Sequence, residues 1–412
     1  MGAEYEKCRQ KIGSVKMGNT CYAAMCIAAC GIMVCGCRSF WNVKKDGDDM
    51  RYTCEPSVVV KPFGKTKDGQ LVQQYTLTGA GGVVMDVIDY GGKVVRLFTP
   101  DRTGAKTDIT LGFNDVAGYE THDPYFGSLI GRYGNRIANG KFVLDGKTYT
   151  LPINNEPGGL PCSLHGGKRG FDAYVWDSEP LSDGKTIGVQ FKMRSPDGDQ
   201  GYPGNLDVTV RYWLTPENVW RIEYEAVTDK ATPVNLTQHL YFNFKGEAEG
   251  TILDHELTLL ADRMTPVNKG LIPTGEVVPV KGTPFDFTTP WLIGARIKAD
   301  NEQLRFGGGY DHNWVLNDQS GKLAPAAALY EKSTGRYMEV WTTEPAIQFY
   351  CGNFLTDQVP SKQPGKNLCH RGGLALETQH SPDSPNQPAF PSTILRPGAI
   401  YKSTTEYRFG VR

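Results

Sequence analysis

The chain lacks an excess of charge of either sign. Its 412 residues include 44 Lys and Arg against 45 Asp and Glu, which gives a formal net charge of −1 at pH 7. A long run of basic residues is also missing. Because phosphate binding needs a concentrated positive surface, we expect no nucleic-acid partner. The balance favours a small ligand that is neutral or weakly charged.

Cysteine is scarce beyond residue 37. Six of the ten cysteines lie in the first 37 residues, and only Cys54, Cys162, Cys351 and Cys369 follow. Those four show no CxxC spacing, which argues against a zinc site. In an oxidising compartment one or two disulfides would be compatible with this count, and the sequence does not say how they would pair.

Long apolar runs are missing except near the N-terminus, where Cys21–Val34 carry no charge. Four basic residues precede this run: Lys7, Arg9, Lys11 and Lys16. This order is typical of a secretory signal, and the run is too short to span a bilayer comfortably. Cys37 then ends a segment that resembles the bacterial lipoprotein box, although Cys35 stands where that box has a small residue. A plain cleaved signal and a buried apolar helix are the alternatives.

We therefore expect residues 1–37 to be a signal peptide of the lipoprotein type, with Cys37 as the lipidated residue. Export to a bacterial periplasm, or attachment to the membrane through Cys37, would follow. Residues 38–57 are polar and mixed and are interpreted as a tether. No change of composition divides residues 58–412, which we treat as one domain.

Helical periodicity is also absent, since no stretch of 12 or more residues after residue 40 shows it. Trp220–Ala226 alternate apolar and charged residues, which is the period of a half-buried strand. Lys141–Tyr149 place Asp145 and Gly146 between two strand-like runs, which predicts a hairpin. Four further segments are rich in β-formers: Val83–Phe98, Leu206–Leu214, Tyr337–Thr342 and Thr404–Val411. Many strands with glycine and proline turns predict an all-β sandwich or barrel.

Histidine is rare, with seven in the chain, and three stand in suggestive surroundings. Two glycines follow His165, and they would let the backbone approach a ligand closely. His239 lies in Pro233–Asn243, where hydrogen-bonding side chains are crowded among apolar ones. Asp311 and His312 follow a glycine-rich loop. Taken singly, each histidine is also readily explained as a structural residue with satisfied hydrogen bonds.

Two charged residues stand in apolar surroundings. Glu377 lies in Leu374–Gln379, and a carboxylate buried in such a run has a raised pKa and can act as a base. Arg136 lies in Gly131–Ile137. The simpler interpretations are a solvent-facing glutamate and a structural salt bridge. The residues alone indicate a secreted β protein with a polar pocket.

A series of short segments from about Phe63 to the C-terminus adds a resemblance. They are Tyr75–Thr78, Val87–Gly91, Leu111–Phe113, Tyr125–Ile137, Ser163–Gly167, Gly170–Asp172, Ser195–Gly198, Gly201–Gly204, Thr232–Asn243, Ile272–Gly275, Tyr310–Asn313, Gln348–Asn353 and Leu376–Gln387. Together, and in this order, they resemble the aldose 1-epimerase (galactose mutarotase) family. The resemblance implies a large antiparallel β-sandwich, the supersandwich, with its site in an open cleft. It also implies interconversion of the α and β anomers of free aldohexoses such as glucose or galactose.

The resemblance further implies roles for individual residues. Glu377 matches the catalytic base, His239 the catalytic acid and His165 a second active-site histidine. The positions that match sugar-binding residues are Asn135, Arg136, Tyr241, Asp311 and Gln348. A free aldohexose would be the partner, no cofactor would be required, and the chain would be a monomer. A bound calcium ion stays open, although no DxDxDG loop is present.

Two departures from the family pattern stand near the expected site. Cys162 replaces an asparagine and follows a short insertion around Gly158–Pro161, and Ser381 stands where an aromatic residue is common. Three other functions are compatible with the residues. They are a glycoside hydrolase with Glu377 and Asp311 about 5–9.5 Å apart, a sugar-binding module without activity, and an epimerase of hexose 6-phosphates, which would need a cationic phosphate site.

Overall fold

The computed structural model describes residues 42–46, 49–53, 55–122 and 124–412. The predicted signal segment 1–37, its Cys37 and also Cys54 lie outside these ranges. Within the predicted tether, Asn42–Asp46 pair with Asp49–Thr53 as an antiparallel hairpin. No helix in the described ranges has the length and apolar character needed to cross a membrane.

The largest sheet has nine antiparallel strands. In spatial order they are Asp177–Ser182, Ile187–Ser195, Leu206–Leu214, Val219–Thr228, Tyr401–Val411, Arg336–Thr342, Ala324–Tyr330, Glu256–Leu259 and Trp291–Leu292. Val219–Thr228 confirm the alternation read from the sequence, because Trp220, Ile222 and Tyr224 are buried while Arg221 and the other intervening residues are partly exposed. Apolar side chains of this sheet therefore face inward and charged ones face solvent.

Two smaller antiparallel sheets lie across the core from the first. The six-stranded sheet runs in the order Tyr241–Phe242, Leu374–Gln379, Ala346–Tyr350, Asp311–Val315, Arg263–Thr265 and Val278–Pro279. The five-stranded sheet runs in the order Ser57–Lys65, Leu71–Thr78, Val84–Ile88, Lys93–Pro100 and Lys106–Asp108. Trp220, Phe349 and Met85, one from each sheet, belong to a single buried cluster. The predicted all-β antiparallel sandwich is confirmed.

Short elements complete the described chain. Four further strand pairs are Lys141–Leu144 with Lys147–Thr150, Arg136–Ala138 with Cys162–Leu164, Thr232–Pro233 with Ile394–Leu395, and Ser128–Ile130 with Thr237–His239. The helices are Val116–His122 and Glu302–Gly307, with single 3-10 turns at Pro157–Gly159, Phe171–Ala173, Asp199–Gly201, Ile293–Ala295 and Ser384–Asn386. The predicted hairpin is confirmed, since Asp145 and Gly146 both have positive φ, as a tight two-residue turn requires.

The six-stranded sheet determines where polar side chains gather. Leu374 and Leu376 face the main core, whereas Ala375 packs in a second cluster on the other face of the strand. Because side chains alternate along a strand, Glu377 shares the face of Ala375. Gln348 lies directly opposite Glu377 in the ladder. This face of the sheet forms the floor of the candidate site.

Candidate active site

Glu377 occupies the middle of the strand Leu374–Gln379, every residue of which is buried. The carboxylate is therefore inside the protein, as its apolar context suggests, and is only 2% exposed. Burial raises the pKa of Glu377 well above its usual range, and the negative charge of Asp311 raises it further, while Arg136 opposes the shift. Burial therefore favours the protonated form of this carboxyl group.

His239 ends the short strand Thr237–His239 and meets Glu377 from the side. Its Nε2 lies 3.6 Å from Oε1 of Glu377. Burial lowers the pKa of His239 to about 3, and the positive charges of Lys93 and Arg136 act in the same direction. The ring of Tyr241 lies nearly parallel to the imidazole, with centroids 4.9 Å apart. The imidazole is thus held in a fixed orientation towards the carboxyl group.

The two shifts together determine how many protons the pair holds. The lowered pKa of His239 and the raised pKa of Glu377 both favour the state in which the pair holds a single proton. In the uncharged arrangement this proton is on Glu377. Moving it to His239 produces a carboxylate and an imidazolium, which are a base and an acid beside each other.

His165 follows the strand Cys162–Leu164 and stands edge-on to His239, with ring centroids 5.1 Å apart. The backbone N–H of Asn135 donates a hydrogen bond to Nδ1 of His165 at 3.2 Å. A neutral imidazole that accepts at Nδ1 carries its proton on Nε2. Burial lowers the pKa of His165 well below its usual value, with His239 and Arg136 adding to the effect. His165 is therefore a neutral N–H donor.

The two glycines after His165 serve the fold rather than a ligand. A Cβ at Gly166 would lie 2.0 Å from the carbonyl oxygen of Gly131, and one at Gly167 would lie 2.8 Å from the side chain of Gln200. Both glycines have positive φ. The sequence predicts that these glycines let the backbone approach a ligand closely. The close approach instead joins the backbone of Gly166 to that of Gly131, and it holds His165 in place.

Three of the expected sugar-binding residues form a polar cluster beside the pair. Nη1 of Arg136 lies 3.9 Å from Oδ2 of Asp311. Nε2 of Gln348 donates to Oδ1 of Asp311 at 2.7 Å. Asp311 is thus fixed from two sides, by a cation and by an amide donor. Asn135 joins the cluster through its oxygen, which accepts from the backbone N–H of Arg136.

A cavity of about 420 Å³ opens above these groups. Seven of the expected residues line it: Asn135, Arg136, His165, His239, Tyr241, Asp311 and Glu377. Gln348 does not line it and lies behind Asp311. The hydroxyl of Tyr241 donates to the backbone oxygen of Pro124, so this residue presents its ring to the site.

Other lining residues were missed by the sequence interpretation: Tyr125, Asn155, Glu156, Pro157, Leu271, Tyr350 and Phe354. Tyr125 lies inside one of the segments that resemble the family, although nothing in the sequence marks its side chain. Most of the others come from loops, where no periodicity indicates which way a side chain points. The loop that precedes the insertion reaches the site, because Asn155 accepts from Nε of Arg136.

The donor atoms of His165, His239 and Glu377 lie within 4.8 Å of one another, close enough to be tested as a metal site. The hydrogen bonding of His165 argues against one. A metal at Nε2 needs a neutral ring with its proton on Nδ1, yet Nδ1 here accepts a backbone N–H. The raised pKa of Glu377 also opposes the carboxylate form that a metal requires. The set is better suited to moving protons.

Several other candidates are structural. Nδ1 of His312 accepts the backbone N–H of Asp311, and its ring packs against Phe285 inside the core. The hydroxyl of Ser381 accepts from Nδ2 of Asn313, and Ser381 does not line the cavity. The three described cysteines, Cys162, Cys351 and Cys369, are free thiols.

Comparison with known proteins agrees with this geometry. The family model for aldose 1-epimerase matches residues 73–408. Galactose mutarotase from Rattus norvegicus is 44% identical over 356 residues, which cover 86% of this chain and 99% of the rat protein. Aldose 1-epimerase from Escherichia coli strain K12 is 39% identical over 344 residues, covering 83% of this chain and 96% of that protein.

A solved structure shows the same architecture. The crystal structure of galactose 1-epimerase from Lactobacillus acidophilus superposes with a TM-score of 0.73 at 28% identity, covering 86% of this chain and 99% of the other. The sequence match extends through the strands that carry Glu377 and His239, and the fold match covers the same share of the chain. The chain therefore belongs to the aldose 1-epimerase family.

Proposed function

We propose that the protein interconverts the α and β anomers of free aldohexoses, with Glu377 and His239 as the groups that move protons. One observation carries the assignment of these residues: Nε2 of His239 lies 3.6 Å from Oε1 of Glu377 at the wall of a cavity large enough for a hexose. Membership of the family supports the reaction. The named relatives are epimerases and mutarotases, and none of the observations favours a glycoside hydrolase.

Ring opening uses the charged arrangement of the pair. The carboxylate of Glu377 takes the proton from the anomeric hydroxyl O1, and C1–O1 becomes a carbonyl. The C1–O5 bond breaks with its electrons going to O5, which receives a proton from His239. The pair is then uncharged, with the proton on Glu377. Burial favours this uncharged form of the pair.

Ring closure reverses these transfers after C1 has rotated about C1–C2. His239 accepts the O5 proton as O5 attacks the carbonyl carbon, and Glu377 returns a proton to O1. Arg136 and Asp311 would hold the hydroxyls far from C1 through charge-assisted hydrogen bonds. Because these hydrogen bonds are far from C1, they leave C1 free to rotate about the C1–C2 bond. His165 would direct its Nε2–H at the ring region of the sugar.

Polarimetry tests the proposal directly. Freshly dissolved α-D-glucose and α-D-galactose should reach their equilibrium rotation faster with the protein present than without it. The same preparation should release no reducing sugar from an oligosaccharide. An unchanged relaxation rate with sugar bound would instead indicate a binding module. Full rates after dialysis against a chelator would agree with the expectation that neither a cofactor nor calcium is required.

The N-terminal segment supports a separate proposal. We infer from the basic residues, the apolar run and Cys37 that the chain is exported and carries a lipid on Cys37. A monomeric folded domain is a separate proposal. Labelling with a radioactive fatty acid, compared between the natural chain and Cys37→Ser, tests the lipid. Label retained by the serine variant, or absent from both, would reject it.

A further inference from the structure

Tyr125 contacts both imidazoles of the site. Its ring centroid lies 4.6 Å from that of His165. It lies 6.0 Å from that of His239, with the two planes 27° apart. Tyr241 is the other tyrosine whose ring is parallel to His239, and it packs in the second buried cluster. Tyr125, in contrast, is half-buried and lies on the outer side of the site.

The same tyrosine borders a second cavity. This neighbouring cavity has a volume of about 580 Å³, and its lining includes the exposed charged residues Lys67, Lys168 and Arg169. Among the residues that the structure describes, Tyr125 is the one that lines both this cavity and the catalytic one. The charged walls would keep the second cavity filled with water. The ring of Tyr125 therefore stands between water and the two histidines.

The backbone holds this ring in place at some cost. Tyr125 has φ of +68°, which bulky residues rarely adopt. Two residues on, Gly127 has φ of +66°, and a Cβ there would lie 2.3 Å from the carbonyl oxygen of Val94. The chain is thus pressed against a neighbouring strand while Tyr125 is turned towards the histidines. Such strain is retained where the surrounding structure determines it.

We infer that Tyr125 is a positioning residue for the proposed reaction: its ring separates His239 and His165 from the neighbouring cavity, so that His239 exchanges its proton with the sugar rather than with water. The inference rests on the proposed roles of Glu377 and His239. Tyr125 takes no proton itself. Its ring fixes the plane of the His239 imidazole and covers the imidazole of His165.

The electrostatic surroundings of His239 indicate the effect of removing the ring. Glu377 faces His239 from the six-stranded sheet, and His165 and Arg136 face it from the small strand pair. Lys93, from the five-stranded sheet, is fully buried and donates to Ser128, the residue opposite His239 in its ladder. Both nearby cations disfavour protonation. Water entering past residue 125 would offset burial, which is the largest cause of the lowered pKa, and the pKa of His239 would rise towards 6.5.

Tyr125→Ala, Tyr125→Leu and Tyr125→Phe test this inference. For Tyr125→Ala we expect kcat to fall at least ~10-fold, because misplacing a reacting group by about 1 Å can cost 10²-fold. The acid limb of its kcat profile should move to higher pH, as should the NMR titration of the His239 ring. Tyr125→Phe keeps the ring and should stay within about 3-fold of wild type, since the hydroxyl has no part in the argument.

Tyr174→Ala is the matched control. That tyrosine is half-buried beside the second cavity, and its ring contacts Arg169 rather than a histidine. Its pH profile should match the wild type. If Tyr125→Ala does not fold, Tyr125→Leu takes its place with the same expectation. A folded Tyr125→Ala or Tyr125→Leu with wild-type kcat and an unmoved acid limb would overturn the inference. Should His239→Asn prove fully active, the proposed function itself fails.

Discussion

The backbone N–H of Asn135 donates to Nδ1 of His165, and this single contact decides which nitrogen of the imidazole carries the proton. The ring must present Nε2–H to the cavity. Since Asn135 and Arg136 adjoin each other in sequence, the segment that supplies two proposed sugar-binding side chains also fixes the tautomer of a histidine. Binding and hydrogen-bond donation are thereby linked through one stretch of backbone.

Two substitutions of His165 distinguish the role of Nε2 from that of Nδ1. The amide of His165→Gln can place a donor near the position of Nε2, whereas His165→Asn keeps only an acceptor near that of Nδ1. We expect the glutamine variant to retain more activity, with kcat/KM of the asparagine variant lower by at least ~10-fold, about the value of one hydrogen bond. Polarimetric rates at several sugar concentrations measure this. Equal rates for both would show that the Nε2–H is not used.

Removal of either proton-transfer group should abolish most of the activity. We expect Glu377→Gln and His239→Asn each to lower kcat by at least ~10²-fold, the usual contribution of a positioned acid or base. Sugar binding should persist, because the cluster of Arg136 and Asp311 is unchanged. Near-normal turnover in either variant would refute the assigned roles. Binding measured by calorimetry separates lost chemistry from lost affinity.

The stability of Glu377→Gln should rise relative to wild type as pH increases. The folded pKa of Glu377 is raised above the ordinary 4.5, so the unfolded chain releases this proton at lower pH than the folded chain does. Native stability from this group is full below about pH 4.5 and is lost as pH rises towards the folded pKa. A glutamine has no such dependence. Melting temperatures of both proteins at pH 4 and pH 7 test this, and a constant difference would contradict it.

Gln348 should affect sugar affinity more than turnover. Gln348→Leu removes the amide that donates to Asp311. We expect KM to rise by about 10-fold, because a hydrogen bond to a charged group is worth roughly 1.5–3 kcal/mol, while kcat stays within a few-fold. Gln190→Leu is a matched control, since Gln190 is a buried strand glutamine that donates to Glu179 on the nine-stranded sheet. A fall in kcat without a change in KM would place Gln348 in the chemistry instead.

The half-buried His380 and the buried Glu344 form an ion pair with a distinct pH signature. Burial opposes the charge on each, but the pair interaction dominates, raising the pKa of His380 above 6.5 and lowering that of Glu344 below 4.5. The stabilisation is therefore full between about pH 4.5 and 6.5. It is lost as pH rises through the pKa of His380 or falls through that of Glu344. His380→Asn should cost up to roughly 3 kcal/mol in that window and less above it. Urea unfolding at several pH values measures the difference in the free energy of unfolding between wild type and His380→Asn. A difference that does not change with pH would contradict the prediction.

The sequence predicted those parts of the structure that depend on local pattern. The strand Val219–Thr228 could be predicted because one of its faces is exposed to solvent. Its side chains therefore alternate between apolar and polar. Leu374–Gln379 show no alternation, because both faces of that strand are buried by segments far away in sequence. Spacing alone could not decide whether Glu377 is buried or exposed. The resemblance to a family gave its expected role, and the structure shows that it is buried.

The site was predicted less completely than the fold. Resemblance identified seven residues that line the cavity, whereas Gln348, which it grouped with them, contacts Asp311 and does not line the cavity. The glycines after His165 suggested contact with a ligand, whereas their neighbour is Gly131. Tyr125 carries no signal of its own, because its importance comes from two rings and a second cavity that tertiary packing brings to it.

The single proton shared by Glu377 and His239 has a consequence for how the enzyme recovers. After each turnover the pair has the same proton count as before, whichever face of the sugar was attacked. No exchange with buffer is needed to reset it, so successive substrates can meet an identical catalyst. The rate of interconversion should therefore not depend on the buffer concentration at constant pH and ionic strength.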